Sequence, residues 1–345
     1  RSILASLGYV PTVTKKEISV RVPSFRRDVT IDVDIIEELA RIYGYHTIMA
    51  KLPDSAPPVV IPEPMLHWEE EIKTRMRDWG YTEVYTYSMI SEKLMDVFAL
   101  DKKRAYAIAN PLSEDWVYLR PSLWPSMLTA IKQNLNHRGT LRLFELSNVY
   151  EWQPGNLPKE RPILIVAWTG HTFREAKGLA QAVFSLFGLP LPESPKNPPK
   201  LHDWDDKRRL LLGDDAGVSE VNPELLTRLG IREPVTLFWV HVDSLVSLAK
   251  PVRAYVPLAK YPPSYEDIAF VFPTQTPIGP VIATIARLAP LIDAVSLLDS
   301  HGDTRTLHVT YLSKTKNLTG DDVRPVREKI LHAVKRQFGG ELKIS

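Results

Sequence analysis

Residues Arg26–Tyr45, RRDVTIDVDIIEELARIYGY, pass from a strand-like run into a helix. Four of its acids, Asp28, Asp34, Glu37 and Glu38, gather at that turn, directly behind Arg26 and Arg27. Asp34 reads as an N-cap, and Ile35, Ile36, Leu39 and Ile42 follow as an apolar helical stripe. Gly44 falls where a left-handed residue ends a helix. Working outward, Ile18–Val22 reads as a strand and Ile3–Leu7 as a short helix closed by Gly8. Residues 1–56 thus read as a small helix-turn-helix-like module.

The acids admit two explanations. Negative side chains are favoured at a helix N-terminus, and Glu37 or Glu38 can pair with Arg41 one turn on. Alternatively, Asp28, Asp34, Glu37 and Glu38 form an all-oxygen site for a hard cation such as Mg²⁺, which takes few carboxylates plus waters. Spacing alone ranks the first ahead and leaves both open.

The 345 residues allow two or three domains. A hydrophobic fraction of 44% and a charged fraction of 24% are those of a water-soluble chain, and no run approaches a membrane span. The absence of cysteine excludes disulfides, thiolate metal sites and cysteine nucleophiles, and fits a cytoplasmic address. RSILASLGYV has no signal-peptide pattern and no initiator Met, and reads as part of something longer. Net charge is only +2, with 12 basic against 9 acidic residues from Pro251 onward.

Prolines punctuate the chain. Leu52–Pro64 reads as a stiff connector, Leu189–Pro199 as a surface loop, and Lys250–Pro263 as a second boundary region. Residues 65–250 should form an α+β domain around an antiparallel sheet. Its helices are Met65–Trp79, with Leu66, Ile72, Met76 and Trp79 inward, and a second one capped by Ser122, with Pro125 in its first turn. Its strands are Leu141–Val149, Pro162–Thr169, Arg208–Gly213 and Val235–Val242. In residues 254–345 the order is strand Ile268–Phe272, helix Pro280–Leu288, strands Asp293–Leu298 and Leu307–Leu312, a helix from the Thr319/Asp322 capping box to Phe338, and strand Glu341–Ile344. This β-α-β-β-α-β order is the ferredoxin-like unit.

Several words in this order resemble one family. VRVPSFRRDVTIDVDIIEELARIYGYHTI resembles the magnesium-linked module of the bacterial phenylalanyl-tRNA synthetase β subunit. NPLSEDWVYLRPSLWPSMLTAIKQNLNH, LRLFELSNVYEW and GVSEVNPELLTRLGI resemble its core. AKYPPSYEDIAFVF, VSLLDS, LHVTYLS, NLTGDDV and GGELK resemble its C-terminal anticodon-binding module. The resemblance implies a Mg²⁺ shared with the α subunit at Asp28, Asp34, Glu37 and Glu38, ATP bound by that partner, an α₂β₂ heterotetramer, and tRNA(Phe) as the nucleic-acid partner.

It also implies a catalytically inactive, class II synthetase-like core. Consistent with this, no GxGxGxxR-like motif lies between Gly213 and Lys250, and no glycine-rich phosphate loop occurs. Arg120 and Glu145 are the core's conspicuous polar residues; Arg120 reads as a structural or interface group rather than a catalytic one. The nine histidines form no HExxH, and His301 and His308, near the third and fourth strands of the last module, admit RNA contact or plain solvation, with solvation ranked ahead.

For the last module, RNA contact is expected at Lys260, Tyr261, Lys314, Lys316, Arg324 and Arg327, since single-stranded bases are held by stacking and their phosphates by cations. Tyr265 and Tyr311 are further aromatics there. Two positions depart from the family: Glu266, where an arginine is common, and Lys343, where leucine-arginine usually ends the chain. The expected function is non-catalytic support of the α subunit with anticodon-end binding. The alternative is a stand-alone nucleic-acid-binding or scaffold protein built from synthetase-derived domains.

Overall fold

The computed structural model describes residues 1–57, 59, 63–137, 139–195, 203–250, 255, 257–273 and 276–343. The Leu52–Pro64 connector, the Leu189–Pro199 loop and the Lys250–Pro263 boundary lie partly outside the described residues, as does Ile344 of the expected last strand. The chain forms two compact units, Arg1–Trp68 and Glu69–Ser345.

In the first unit, α1 (Ser2–Ser6) leads into a hairpin of β1 (Val10–Val13) and β2 (Ile18–Arg21), which pair antiparallel from Val10↔Arg21 to Val13↔Ile18. The Thr14 hydroxyl accepts from the amides of Lys16 and Glu17 and closes that turn. Helix α2 (Asp32–Tyr43) follows and ends at Gly44, whose φ is +96°. The helix begins two residues before Asp34, so Asp34 is not its N-cap. Instead it sits in the first turn, and its carboxylate reaches back to the amides of Thr30 and Ile31. Leu4, Tyr9 and Val29 form the core, with Ile35 and Leu39 packed against it. Ile36 and Ile42 face out, so only part of the expected stripe is inward.

In the second unit come α3 (Pro64–Asp78, which begins in the first), β3 (Thr82–Glu83), β4 (Met89–Ile90), α4 (Glu92–Val97), β5 (Tyr118–Leu119) and α5 (Trp124–Asn134). The long strands and their helices follow: β6 (Arg142–Glu151), β7 (Lys159–Thr169), α6 (Phe173–Leu186), β8 (Trp204–Leu211), β9 (Ala216–Val221), α7 (Pro223–Leu229), β10 (Val235–His241) and α8 (Val242–Leu248). The sheet order is β3-β6-β7-β10-β9-β8, antiparallel except where β3 runs parallel to β6. In α3, Ile72 and Met76 are buried as expected, but Leu66 is 62% and Trp79 37% exposed, and Trp68 is inward instead. The Ser122 hydroxyl accepts from the Trp124 amide at 3.2 Å, just ahead of α5.

Both faces of this sheet are filled. Leu143, Ile165, Ala167 and Leu237 lie on one face in a core that includes Met127, Ile131 and Leu225. Leu164, Val166, Phe238 and Val240 alternate with them on the other face and are equally buried.

The remaining elements are β11 (Ser264–Val271), α9 (Ile278–Ala286), β12 (Ile292–His301), β13 (Thr304–Tyr311), α10 (Gly320–Phe338) and β14 (Glu341–Leu342). They form the βαββαβ unit, with antiparallel sheet order β12-β13-β11-β14. Ile268, Phe270, Leu307, Val309 and Tyr311 share one face with Val281 and Ile285 of α9 and Val326, Ile330 and Val334 of α10. Strict alternation turns the other side chains to the opposite face, on which no helix packs among the described residues. The whole is a multidomain α+β chain with antiparallel sheets.

Candidate functional site

The acidic turn is held by an arginine. Arg26 makes a two-pronged contact with Asp28, Nε to Oδ1 at 3.0 Å and Nη2 to Oδ2 at 2.6 Å. The same guanidinium grips Glu38, Nη2 to Oε1 at 3.0 Å and Nη1 to Oε2 at 3.2 Å. Arg41 adds a third donor to Glu38 at 2.8 Å. Hydrogen bonds from Arg26, then Arg41, hold the Glu38 carboxyl down at about 2. Arg26 lowers Asp28 as well, while the amides of Ile31 and Thr30 lower Asp34. Glu37 is exposed.

These donors are the hard oxygens a Mg²⁺ ion prefers, yet their arrangement does not suit one. Two of the four carboxylates face a guanidinium, and a third is spent on backbone amides. Among the described residues no three acidic or histidine side chains converge on a point that could hold a metal ion. In this chain alone the four residues do not fit the group.

The polar centre of the six-stranded sheet is closed too. Arg120 is fully buried and Glu145 is 1% exposed. They pair at 3.1 Å, and Arg120 also donates to the Asn148 carbonyl at 3.1 Å, the Thr86 hydroxyl at 2.7 Å, the Tyr87 carbonyl and the Ser147 hydroxyl. Glu145 accepts from the Thr86 hydroxyl at 2.6 Å. Burial lowers the Arg120 pKa, although Glu145 opposes this. Arg120 is therefore a core group and not an exposed interface residue. With every strong donor and acceptor engaged inside the protein, neither side chain is free to attack or protonate a substrate.

The last module divides the expected RNA residues. Lys260 and Lys314 are exposed and Tyr261 is half-buried. Lys316 is paired with Asp322 at the start of α10, and Arg324 with Asp321 at 3.1 Å. Arg327 pairs with Glu266 at 2.9 Å, and Glu266 in turn accepts from the buried Tyr311 hydroxyl at 3.0 Å. Glu266 thus bolts β11 to α10, and next to it burial pushes the Tyr311 hydroxyl up. Lys316, Arg324 and Arg327 accordingly belong to the start of the helix that covers the inner face of the sheet.

On the uncovered face a different pair stands out. Tyr265 of β11 is 61% exposed and stacks on His308 of β13, ring centres 5.4 Å apart and planes at 25°. His308 Nδ1 lies 2.6 Å from Asp267 Oδ1, directly across the ladder. Asp267 thereby orients the imidazole, and the stack presents a preformed flat aromatic surface. The signal was in the alternation of SYEDIAFV, which sets Tyr265 opposite in phase to Ile268 and Phe270.

Comparison with known proteins fits this layout. Residues 48–242 match the model of the phenylalanyl tRNA synthetase beta chain CLM domain. The chain belongs to the phenylalanyl-tRNA synthetase beta-chain family. Residues 1–45 match the tRNA synthetase B5 domain, and residues 259–343 the ferredoxin-fold anticodon binding domain. The phenylalanine–tRNA ligase beta subunit of Syntrophus aciditrophicus is 27% identical across 99% of this chain and 47% of its own length. That of Geobacter sulfurreducens is 28% identical across 96% of this chain and 45% of its own. The chain therefore spans about half the length of the curated beta subunits it matches. Among its described residues no helix is long and apolar enough to cross a membrane.

Proposed function

We propose that this chain serves phenylalanine–tRNA ligase as a non-catalytic part of the beta subunit. It supports a catalytic α subunit that binds ATP, and it holds the anticodon end of tRNA(Phe), in the cytoplasm. The observation that carries this reading is the contrast between two sheets: the core sheet is closed on both faces, while the sheet of the ferredoxin-like module leaves Tyr265 and His308 stacked on an open one. An unpaired base can continue that stack, worth about 1–3 kcal/mol per base. Lys260, Tyr261 and Lys314 are assigned to the flanking phosphates and ribose, whereas Lys316, Arg324 and Arg327 stay with Asp322, Asp321 and Glu266 beside the covering helix. A Mg²⁺ shared with the α subunit at Asp28, Asp34, Glu37 and Glu38 belongs to this reading only for the assembled enzyme, because the chain alone does not arrange them for it.

The test is tRNA(Phe) binding by the full chain mixed with a phenylalanyl-tRNA synthetase α subunit. Tyr265→Ala should weaken binding about 5- to 150-fold if one stacked base is lost, and leave the α–β mass by light scattering unchanged. Lys314→Ala should weaken binding of any RNA alike and reduce its salt dependence. An α–β complex whose tRNA affinity ignores Tyr265→Ala refutes the open-face assignment. No α–β complex at all, with tRNA bound by the chain alone, points to a free-standing RNA-binding protein.

A further inference from the structure

The contacts of Arg26 show what neutralises the acidic turn. Its planar fork meets two carboxylates at once, each through two nitrogen–oxygen contacts between 2.6 and 3.2 Å. Such a double two-pronged arrangement suits a guanidinium and no other side chain. The Tyr9 ring, almost fully buried, lies 5.6 Å from the guanidinium carbon and backs it with a π face. Glu38 is 7% exposed, so its pair with Arg26 is not a solvated surface contact of the sort that contributes little, whereas Asp28 meets the same guanidinium from the solvent side.

Charge and geometry agree. Asp28 and Glu38 together carry two negative charges, and Arg26 and Arg41 return two positive ones. The charges of Asp28 and Glu38 are thereby matched, and only Asp34, engaged by backbone amides, and the exposed Glu37 stay without a cationic partner among these four. Mg²⁺ also needs oxygens at about 2.0–2.1 Å in near-octahedral array and gives up its waters reluctantly. Oxygens splayed around a guanidinium, with Asp34 turned to the Thr30 and Ile31 amides, offer no such array.

We propose that Arg26 is the resident cation of this turn, and that a divalent metal ion reaches Asp28 and Glu38 only by displacing its guanidinium. Arg26 and the metal are then alternatives at one place, and the chain alone holds α2 against the β2–α2 connection without any metal. This goes beyond the functional assignment above. It concerns the isolated chain and stands or falls whether or not an α subunit binds.

The experiment is amide hydrogen exchange of residues 26–43 in the full chain, with millimolar Mg²⁺ compared with NaCl at equal ionic strength. The wild type should show the same exchange in both. Arg26→Met should exchange several-fold faster in this segment, and Mg²⁺ should slow it again. Arg26→Lys should fall between, because an ammonium keeps the charge without the fork. Arg27→Met, at an exposed neighbouring position, should behave as wild type. A saturable Mg²⁺ effect on the wild type that a chelator reverses overturns the proposal, and so does an Arg26→Met protein that exchanges like wild type. Should Arg26→Met fail to fold, the comparison passes to Arg26→Lys, where absence of any Mg²⁺ rescue counts against it.

Discussion

Arg120 and Glu145 are charged, yet they sit where neither meets water. Stripping solvent from two ions is costly, and the pair survives because the Thr86, Ser147, Asn148 and Tyr87 groups satisfy what the ion pair leaves over. Removing one partner strands the other. Glu145→Ala should lower the stability of the second unit by about 3–5 kcal/mol in denaturant unfolding, and replacing both by Arg120→Met with Glu145→Leu should recover part of that loss. A single variant within about 0.5 kcal/mol of wild type would show that the pair is solvated after all. The words YLRPSL and LFELSN made both residues visible in the sequence. Their pairing was not legible, since it depends on β5 being brought beside β6.

At the scale of elements, legibility follows periodicity. The alternation of Leu307, Val309 and Tyr311 in β13 and the capping box at Thr319 and Asp322 marked two parts of the ferredoxin-like unit, and the structure keeps both, while β11, expected from Ile268, begins at Ser264. Strand β9 was missed because Ala216–Val221, AGVSEV, is buried along its whole length and shows neither alternation nor an apolar run. Its polar members are absorbed locally: Glu220 takes Arg208 and His171 as partners, and the Ser219 hydroxyl donates to the Glu220 carbonyl. The errors in α3 come from its ends, where Leu66 and Trp79 kept the helical phase but lay beyond the covered part of the helix. The same strand β9 explains a glycine. Gly217 pairs with Trp239, and a Cβ there would stand 2.5 Å from Trp204 Cη2 and 3.0 Å from Trp239 Nε1. Trp204 also stacks on Trp124 of α5, centres 5.7 Å apart, so it has little room to give way. Gly217→Ala should therefore cost about 1–3 kcal/mol of overpacking and alter the near-UV circular dichroism of the tryptophans. A protein unchanged in both would mean that the Trp204 ring swings aside freely.

Across the whole molecule, the two units draw on very different resources. The second unit carries two large cores, one against each of its longer sheets, whereas the core of the first rests on Leu4, Tyr9 and Val29 with a few half-buried neighbours. A unit of that size buries too little apolar surface to be more than marginal. It leans instead on the ion pairs that Asp28 and Glu38 make with Arg26 and Arg41, and these respond to pH. The Glu38 carboxyl sits at about 2 against an ordinary 4.5, so between those values the unfolded chain binds the extra proton. The contribution of Glu38 is thus complete above about pH 4.5 and disappears as pH falls towards 2, and Asp28 and Asp34 shift in the same direction. Asp322, held at about 2 by Lys316 and the Thr319 amide, imposes the same sign on the second unit, where a larger core can absorb the loss. On acidification below pH 4.5, protection against hydrogen exchange should accordingly vanish first in residues 2–43, while the strands of the six-stranded sheet remain protected. Glu38→Gln should exchange faster at neutral pH and lose much of this acid dependence. If both units opened together at every pH, the charges around Arg26 would contribute nothing separate to folding, and the small core would have to be stronger than its few side chains allow.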